Sequence, residues 1–302
     1  MTRTKKLLGI SAGQPSGSAE ILLKRALASA QAAGAEVSMI RLADLSLPAG
    51  LGDPDSGDAW WVYEELLEAD GLIFSTPIVT RTMDARLKVL VDHLLGPNAD
   101  AAIIKDALDR RAAGVVEELP FRVDERVLKP RVAGFLAVGG SLTPQWKSLT
   151  LPLMHTLTLS MSIGVVDQVT FAGAGTPQSV VLDPSALSRA GVLGERVAGQ
   201  LGRGLDDVHY QGEPGLCPMC HLSVIELHGT DVICATCGSQ GTLGAEGQIE
   251  WRNLDTSVIS FAERQDHSEE IMTTAAAHAP RREEISRLAA EELSFEVDVL
   301  RP

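Results

Sequence analysis

The four cysteines carry the plainest chemistry in this chain. They fall as two pairs, Cys217-Pro218-Met219-Cys220 and Cys234-Ala235-Thr236-Cys237-Gly238. A C-x-x-C segment folds into a tight knuckle that points two thiolates at one ion, and two knuckles on adjacent hairpins close a tetrahedral site of four sulfurs. Between the pairs, 222–227 and 230–233 read as two short strands joined at His228-Gly229. The pattern predicts a metal held by Cys217, Cys220, Cys234 and Cys237. The expected ion is zinc, in a structural ribbon too small to fold without it. His221 follows Cys220, and with four thiolates present it reads as a surface residue.

A second stretch with chemical potential is Ser11-Ala12-Gly13-Gln14-Pro15-Ser16-Gly17-Ser18. It sits between a short apolar run, 6–10, and a strong helical pattern, 19–33. A strand, a turn of small and hydroxylated residues and a helix N-terminus together make an anion site, because free N–H groups converge there and the helix dipole favours negative charge. No Gly-Lys-Ser/Thr closes the loop, so it is not a Walker loop. Gly13 and Gly17 are wrongly spaced for a dinucleotide turn. What remains is a mononucleotide phosphate, or a Ser-rich capped turn with no ligand.

The elements that must position these residues alternate. Strands are predicted at 6–10, 36–42, 71–75, 132–138 and 165–171, the third stopped by Thr76-Pro77. Helices are predicted at 18–33, 59–69, 83–95, 144–161 with Pro152 as a kink, and 184–201. Five strand–helix units imply an α/β fold with a doubly wound parallel sheet, whose ligands bind at the carboxyl ends of the strands. Three strand ends carry turn chemistry, at 11–18, 76–82 and 139–145, and should meet in one crevice. A turn-rich stretch at 47–58 follows the second strand. An insertion at 97–130, with a short helix at 101–113, reads as a lid, a subunit contact or a solvated excursion.

At this point the chain resembles the NADPH-dependent FMN reductase family of flavodoxin-like proteins. Three passages carry the resemblance: 8–23 with 34–45; Leu67-Glu68-Ala69-Asp70-Gly71-Leu72-Ile73-Phe74-Ser75-Thr76-Pro77-Ile78 with Met83, Leu87-Lys88 and Asp92; and Val138-Gly139-Gly140 with Met161 and Gly164-Val165-Val166. It implies a five-stranded flavodoxin-like sheet holding FMN, with NAD(P)H as co-substrate. The phosphate would go to Ser11, Gln14, Ser16, Gly17 and Ser18. Thr76, Pro77, Ile78, Val79, Thr80, Arg81 and Thr82 would line the isoalloxazine ring, and Gly139, Gly140 and Ser141 would form a third wall. Hydride would pass from NAD(P)H to flavin and on to a small acceptor such as free flavin or a quinone. The chain departs from the family at Val79, where an aromatic is usual, at Arg81, where a small residue is usual, and in a first loop without the usual Arg and Asn. Arg81 would sit by flavin N1/O2 and tune it, or point to solvent or pair with Asp84. Iron–sulfur flavoproteins of the superfamily carry a cysteine cluster after strand two, and 47–58 has no cysteine. The two C-x-x-C pairs also resemble a rubredoxin-like centre, which makes iron the alternative to zinc; the local sequence lacks the aromatic packing expected there.

The expected organisation is a flavodoxin-like FMN domain at 1–204, a linker and metal ribbon at 205–254, and a helical tail at 255–302. In the tail, Ile285, Leu288, Ala289 and Leu293 share one helix face that should dock. The net charge is −14, which argues against a nucleic-acid or anionic-membrane partner. The ribbon itself has Arg252 as its one Lys/Arg residue, against Glu226, Asp231, Glu246 and Glu250. A protein contact, or a cover over the crevice, fits it better than DNA. No signal peptide, membrane span or disulfide framework is evident, so the chain reads as a cytoplasmic protein, with homo-oligomerisation implied by the family. Among other residues, His155 reads as a packed histidine, Trp60-Trp61 as core or interface anchors, and Trp146 as an aromatic meeting flavin or substrate, or buried in the core. A non-catalytic interaction protein with a degenerate flavin site is the alternative function.

Overall fold

The computed structural model describes residues 3–47, 57–94, 98–116, 118–298 and 300. Strands β1 (Lys6–Ser11), β2 (Glu36–Arg41), β3 (Gly71–Pro77), β4 (Val132–Val138) and β5 (Gly164–Phe171) form one parallel sheet in the order β2-β1-β3-β4-β5. This is the flavodoxin-like order. β4 is buried at every position and β3 at all but its last, which is why both read as unbroken apolar runs.

The pleat sorts side chains to two faces. Leu7, Ile73 and Leu136 point towards α1 (Ser18–Ala32) and, later in the chain, α7 (Pro184–Ala198). Leu8, Leu72 and Phe135 point towards α2 (Ala59–Glu68), α3 (Ala85–Leu94), α4 (Ala101–Ala112) and α5 (Thr150–Met154). Helices α1 and α7 meet backbone to backbone: a Cβ at Gly194 would lie 1.9 Å from the carbonyl oxygen of Ala26. Arg131, fully buried, donates to the carbonyls of Leu66, Leu67, Arg126, Val127 and Lys129, which locks the segment before β4 to α2. Its burial lowers the guanidinium to about 10.

The insertion is a further layer of the body. Asp100 caps α4, whose Ala101, Ala102, Ile104 and Ala107 are buried, and Tyr63 Oη donates to the Asn98 carbonyl at 2.6 Å. After α7 the chain forms a second, antiparallel sheet, β6 (Ile225–His228), β7 (Asp231–Cys234), β8 (Gln240–Leu243) and β9 (Ile249–Arg252). Helices α8 (Phe261–His278) and α9 (Arg282–Glu292) follow.

Several expectations are corrected. β3 runs through Thr76-Pro77 rather than stopping before them, because a proline at the last position of a strand removes no ladder bond the strand needs. The single helix expected over 144–161 is a 3₁₀ turn, then α5, then α6 (Thr156–Leu159). The break falls at His155, three residues past Pro152, where Thr156 and Thr158 hydroxyls take the Leu153 and His155 carbonyls. The hairpins β8 and β9 were not foreseen. The apolar face of α9 is not covered by the described residues of this chain: Ile285, Leu288 and Leu293 are exposed. Among the described residues, the first half of α8 is anchored, through buried Ser268 and through Arg264, which donates to Leu159 O and Ser162 Oγ. Most of the turn-rich stretch at 47–58 lies outside the described residues, as do Leu95 and Pro97.

Candidate active site and metal centre

The first loop leaves β1 at Ser11. The Ala12 N–H donates to Ser75 O at 2.9 Å, and the Gly17 N–H to Gln14 O at 3.0 Å. Ser16 takes φ +60°, and Gly17 sits at the N-cap of α1, where it offers no side chain to the first-turn N–H groups. Ser11 Oγ and Ser18 Oγ are buried without a hydrogen-bond partner. Gln14 and Ser16 are exposed. The Ser16 N–H is taken by Glu20, which Arg41 grips through Nε and Nη2 at 2.8 and 2.9 Å and Lys24 meets at 2.7 Å. The Arg41 pairing, more than any other contact, holds the Glu20 carboxyl down at about 2. The loop thus offers an uncapped helix start and two orphaned hydroxyls, with the nearby carboxylate already neutralised.

The second loop turns tightly. Val79 and Thr82 exchange backbone hydrogen bonds of 2.9 and 3.0 Å around Thr80 and Arg81, at φ +44° and +74°. Both central residues have positive φ, as in a type I′ turn. Thr76 is buried and engaged, accepting from Asp84 N and donating to Pro77 O, while Thr82 Oγ1 donates to Val79 O. Arg81 reaches the third segment, donating to Gln145 O at 2.8 Å and Ser148 Oγ at 3.3 Å; Thr150 Oγ1 donates back to Arg81 O at 2.9 Å. It is neither loose in solvent nor paired with Asp84, which lies 3.5 Å from Arg86.

At the third strand end, the Gly139 N–H donates to Phe171 O, and a Cβ on Gly140 would come 2.7 Å from Gly175 Cα. Ile78, Thr80, Arg81, Gly139, Gly140 and Ser141 line an open hollow of about 280 Å³, together with Trp146 and Lys147. Trp146 is half exposed, so the core-burial reading fails for it. The first loop is not a wall of this hollow. It joins the second loop where Gly13 packs on Pro77, and where Arg86 Nη1 donates to Ala12 O at 3.0 Å. Arg86 was missed from sequence; the available signal was a cation in the first turn of α3, directly after the second loop.

The cysteines converge as expected. All four Sγ atoms lie within 4.8 Å of one another, with Cys217–Cys237 and Cys220–Cys234 each at 3.5 Å. Four sulfurs tetrahedrally placed on zinc stand about 3.8 Å apart, so the donor set fits such an ion. The knuckles repeat one geometry: His221 N donates to Cys217 O at 2.9 Å and Gly238 N to Cys234 O at 2.8 Å, with φ +58° and +77°. Trp251, Met219, Leu222 and Ile259 pack on the sulfurs, so one aromatic is present after all. His221 is half-buried and stacks on Tyr210 at 3.8 Å rather than lying free on the surface.

The first knuckle is bolted to the parallel sheet. Gln168 Nε2 donates to Cys220 O at 2.8 Å, which leaves its Oε1 to accept from His155 Nε2 at 3.0 Å. That fixes the His155 tautomer, with Nδ1 as a buried acceptor lacking a partner. Burial pushes His155 down to about 4. A cleft of about 320 Å³ lies between this histidine, Tyr210 and Met219, at the start of β5 and so away from the strand ends that carry the loops.

Residues 5–176 match the family described as NADPH-dependent FMN reductase. The chain belongs to this family. It is therefore a flavin oxidoreductase, and the alternative of a non-catalytic interaction protein gives way. The reductase is 34% identical to the flavone synthase cfoJ of Aspergillus candidus over 268 residues, covering 82% of this chain and 81% of that one. The solved structure of a flavone reductase matches at 26% identity with a TM-score of 0.81, covering 98% of this chain and all of the other. The likeness thus runs past residue 176 into the ribbon and tail. FMN and NAD(P)H are the reactants of the family. The orphaned Ser11 and Ser18 hydroxyls beside an uncapped helix start are what a phosphate tail requires, so the reductase's residues fit that group.

Proposed function

We propose that this chain holds FMN across its three strand-end loops and reduces a small planar conjugated ketone of the flavone type. The observation that carries the reading is the pairing of the orphaned Ser11 and Ser18 hydroxyls with a neighbouring hollow of about 280 Å³ at the same sheet edge. When bound, FMN supplies the hydride chemistry, from NAD(P)H to the acceptor. Ser11, Gln14, Ser16, Gly17 and Ser18 take the phosphate. Ile78, Thr80 and Arg81 face Gly139, Gly140 and Ser141 across the ring, with Thr76, Pro77, Val79 and Thr82 supporting the turn. Gly140 permits the close approach of 139–141 to 173–175. Trp146, half exposed in the lining of the hollow, offers an apolar seat to a planar substrate.

The flavone acceptor rests on the name of the flavone reductase, while the synthase's name makes a flavone its product; free flavin and quinones are the competing acceptors. The test is anaerobic turnover of the FMN-loaded protein with NADPH against a flavone, menadione and free FMN. Saturable reduction of the flavone's conjugated C=C bond, with the other two slower, supports the reading. Turnover of quinone or free flavin alone rejects it.

We infer further that Cys217, Cys220, Cys234 and Cys237 hold zinc, with iron as the alternative. The parts divide near 204 and 254, and the protein acts as a cytoplasmic homo-oligomer, its acidic ribbon free to contact a protein rather than nucleic acid. Among the described residues no helix is long and apolar enough to cross a membrane. Light scattering on the purified chain tests the oligomer, a monomer being the contrary result.

A further inference from the structure

The first loop, 11–18, contains no cation, yet a phosphate monoester near neutral pH carries a charge of about −1.5 to −2. Neutral amides and hydroxyls are the loop's own donors. The basic groups on its outer side are taken up: Arg41 and Lys24 are both bound to Glu20. Lys147 lines the hollow, and Arg81 is committed to Gln145 and Ser148.

One guanidinium reaches the loop from elsewhere. Arg86, in the first turn of α3, donates Nη1 to the carbonyl oxygen of Ala12, the residue after Ser11, at 3.0 Å. Asp84 holds it in place, accepting the Arg86 N–H at 2.9 Å and lying 3.5 Å from Nη1. Asp84 is itself fixed by its N–H to Thr76 Oγ1. Among the described residues, Arg86 Nε and Nη2 donate to no protein acceptor. A planar fork held at one edge, with its other donors unused, is suited to phosphate oxygens.

We propose that Arg86 is the phosphate-binding cation of this flavin site, supplied by α3 instead of by the loop. The inference rests on the FMN reading above. It makes the site selective for a phosphorylated flavin, because the contact ends at the phosphate and not at the ring.

The test titrates FMN and riboflavin separately into the full-length, flavin-stripped protein, following quenching of flavin fluorescence. Arg86→Met is expected to weaken FMN by about tenfold to hundredfold, the worth of a lost charge-assisted hydrogen bond. Riboflavin affinity is expected to stay unchanged, and Arg86→Lys to recover part of the FMN affinity with riboflavin again unaffected. Equal weakening of FMN and riboflavin in both variants would show that Arg86 only buttresses Ala12, and overturns the proposal. Unchanged FMN affinity in the variants overturns it too, while leaving the flavin site intact. A wild-type chain that binds neither flavin overturns both the proposal and the reading beneath it.

Discussion

Arg81 Nε lies 2.8 Å from the carbonyl oxygen of Gln145, so the turn after β3 and the segment after β4 are one mechanical unit. The sequence leaves Arg81 open between tuning the flavin, meeting solvent and pairing with Asp84; in the structure its guanidinium links two walls of the hollow. Thr150 Oγ1, donating to Arg81 O, closes the link from the other side.

Arg81→Ala is therefore predicted to leave the flavin midpoint potential unchanged and to raise the acceptor KM by about tenfold, as expected when a positioning contact is lost. Spectroelectrochemical titration and steady-state kinetics check the two halves. A shifted potential with an unchanged KM would return Arg81 to the flavin ring.

Acid should weaken the fold in two separable windows. Glu20 sits at about 2 in the folded chain against an ordinary 4.5, chiefly through Arg41. A depressed carboxyl contributes stability above its unfolded pKa, and that contribution drains away as pH falls from 4.5 towards 2. Allowing for the partly exposed Lys24 and Arg41, it is about 2 kcal/mol. His155 is held neutral, at about 4 against 6.5, by burial. The unfolded chain binds this proton first, so stability falls as pH drops from 6.5 towards 4. Urea melts across pH should lose the lower limb in Glu20→Gln and the upper limb in His155→Gln. Parallel pH curves for wild type and variants would contradict the assignments.

If the four cysteines hold zinc as proposed, chelating it is predicted to unfold the ribbon while the parallel sheet persists. The four thiols have little packing besides Trp251, Met219, Leu222 and Ile259, and structural zinc in modules of this size adds about 10 kcal/mol or more of binding free energy to folding. Trp251 emission should shift on chelation, as should that of a Cys234→Ser variant, with the far-ultraviolet helix signal largely kept. Metal analysis should return one zinc per chain. A red protein with thiolate-to-iron absorption would establish iron.

The sheet was legible because its central strands β3 and β4 are buried on both faces: 132–138 could be read off as Val-Ala-Gly-Phe-Leu-Ala-Val without compensating polar positions. The knuckles were legible because two thiolates at that spacing have few other uses. What sequence hid depended on partners distant in the chain. Arg81 finds Gln145 and Arg86 finds Ala12, and neither pairing leaves a periodic trace. The break at His155 turns on threonine hydroxyls competing for carbonyls, where the apolar spacing alone argued for one continuous helix. The apolar stripe of α9 gave the right helix but not its cover, since periodicity shows which face is apolar and not what packs on it.

The central claim is that this chain moves hydride through bound FMN. It is tested most directly by the absorption of the FMN-loaded protein under anaerobic conditions, as NADPH and then a flavone are added. The account predicts that NADPH bleaches the visible flavin band and that the flavone restores it. A flavin band that NADPH leaves untouched would contradict it.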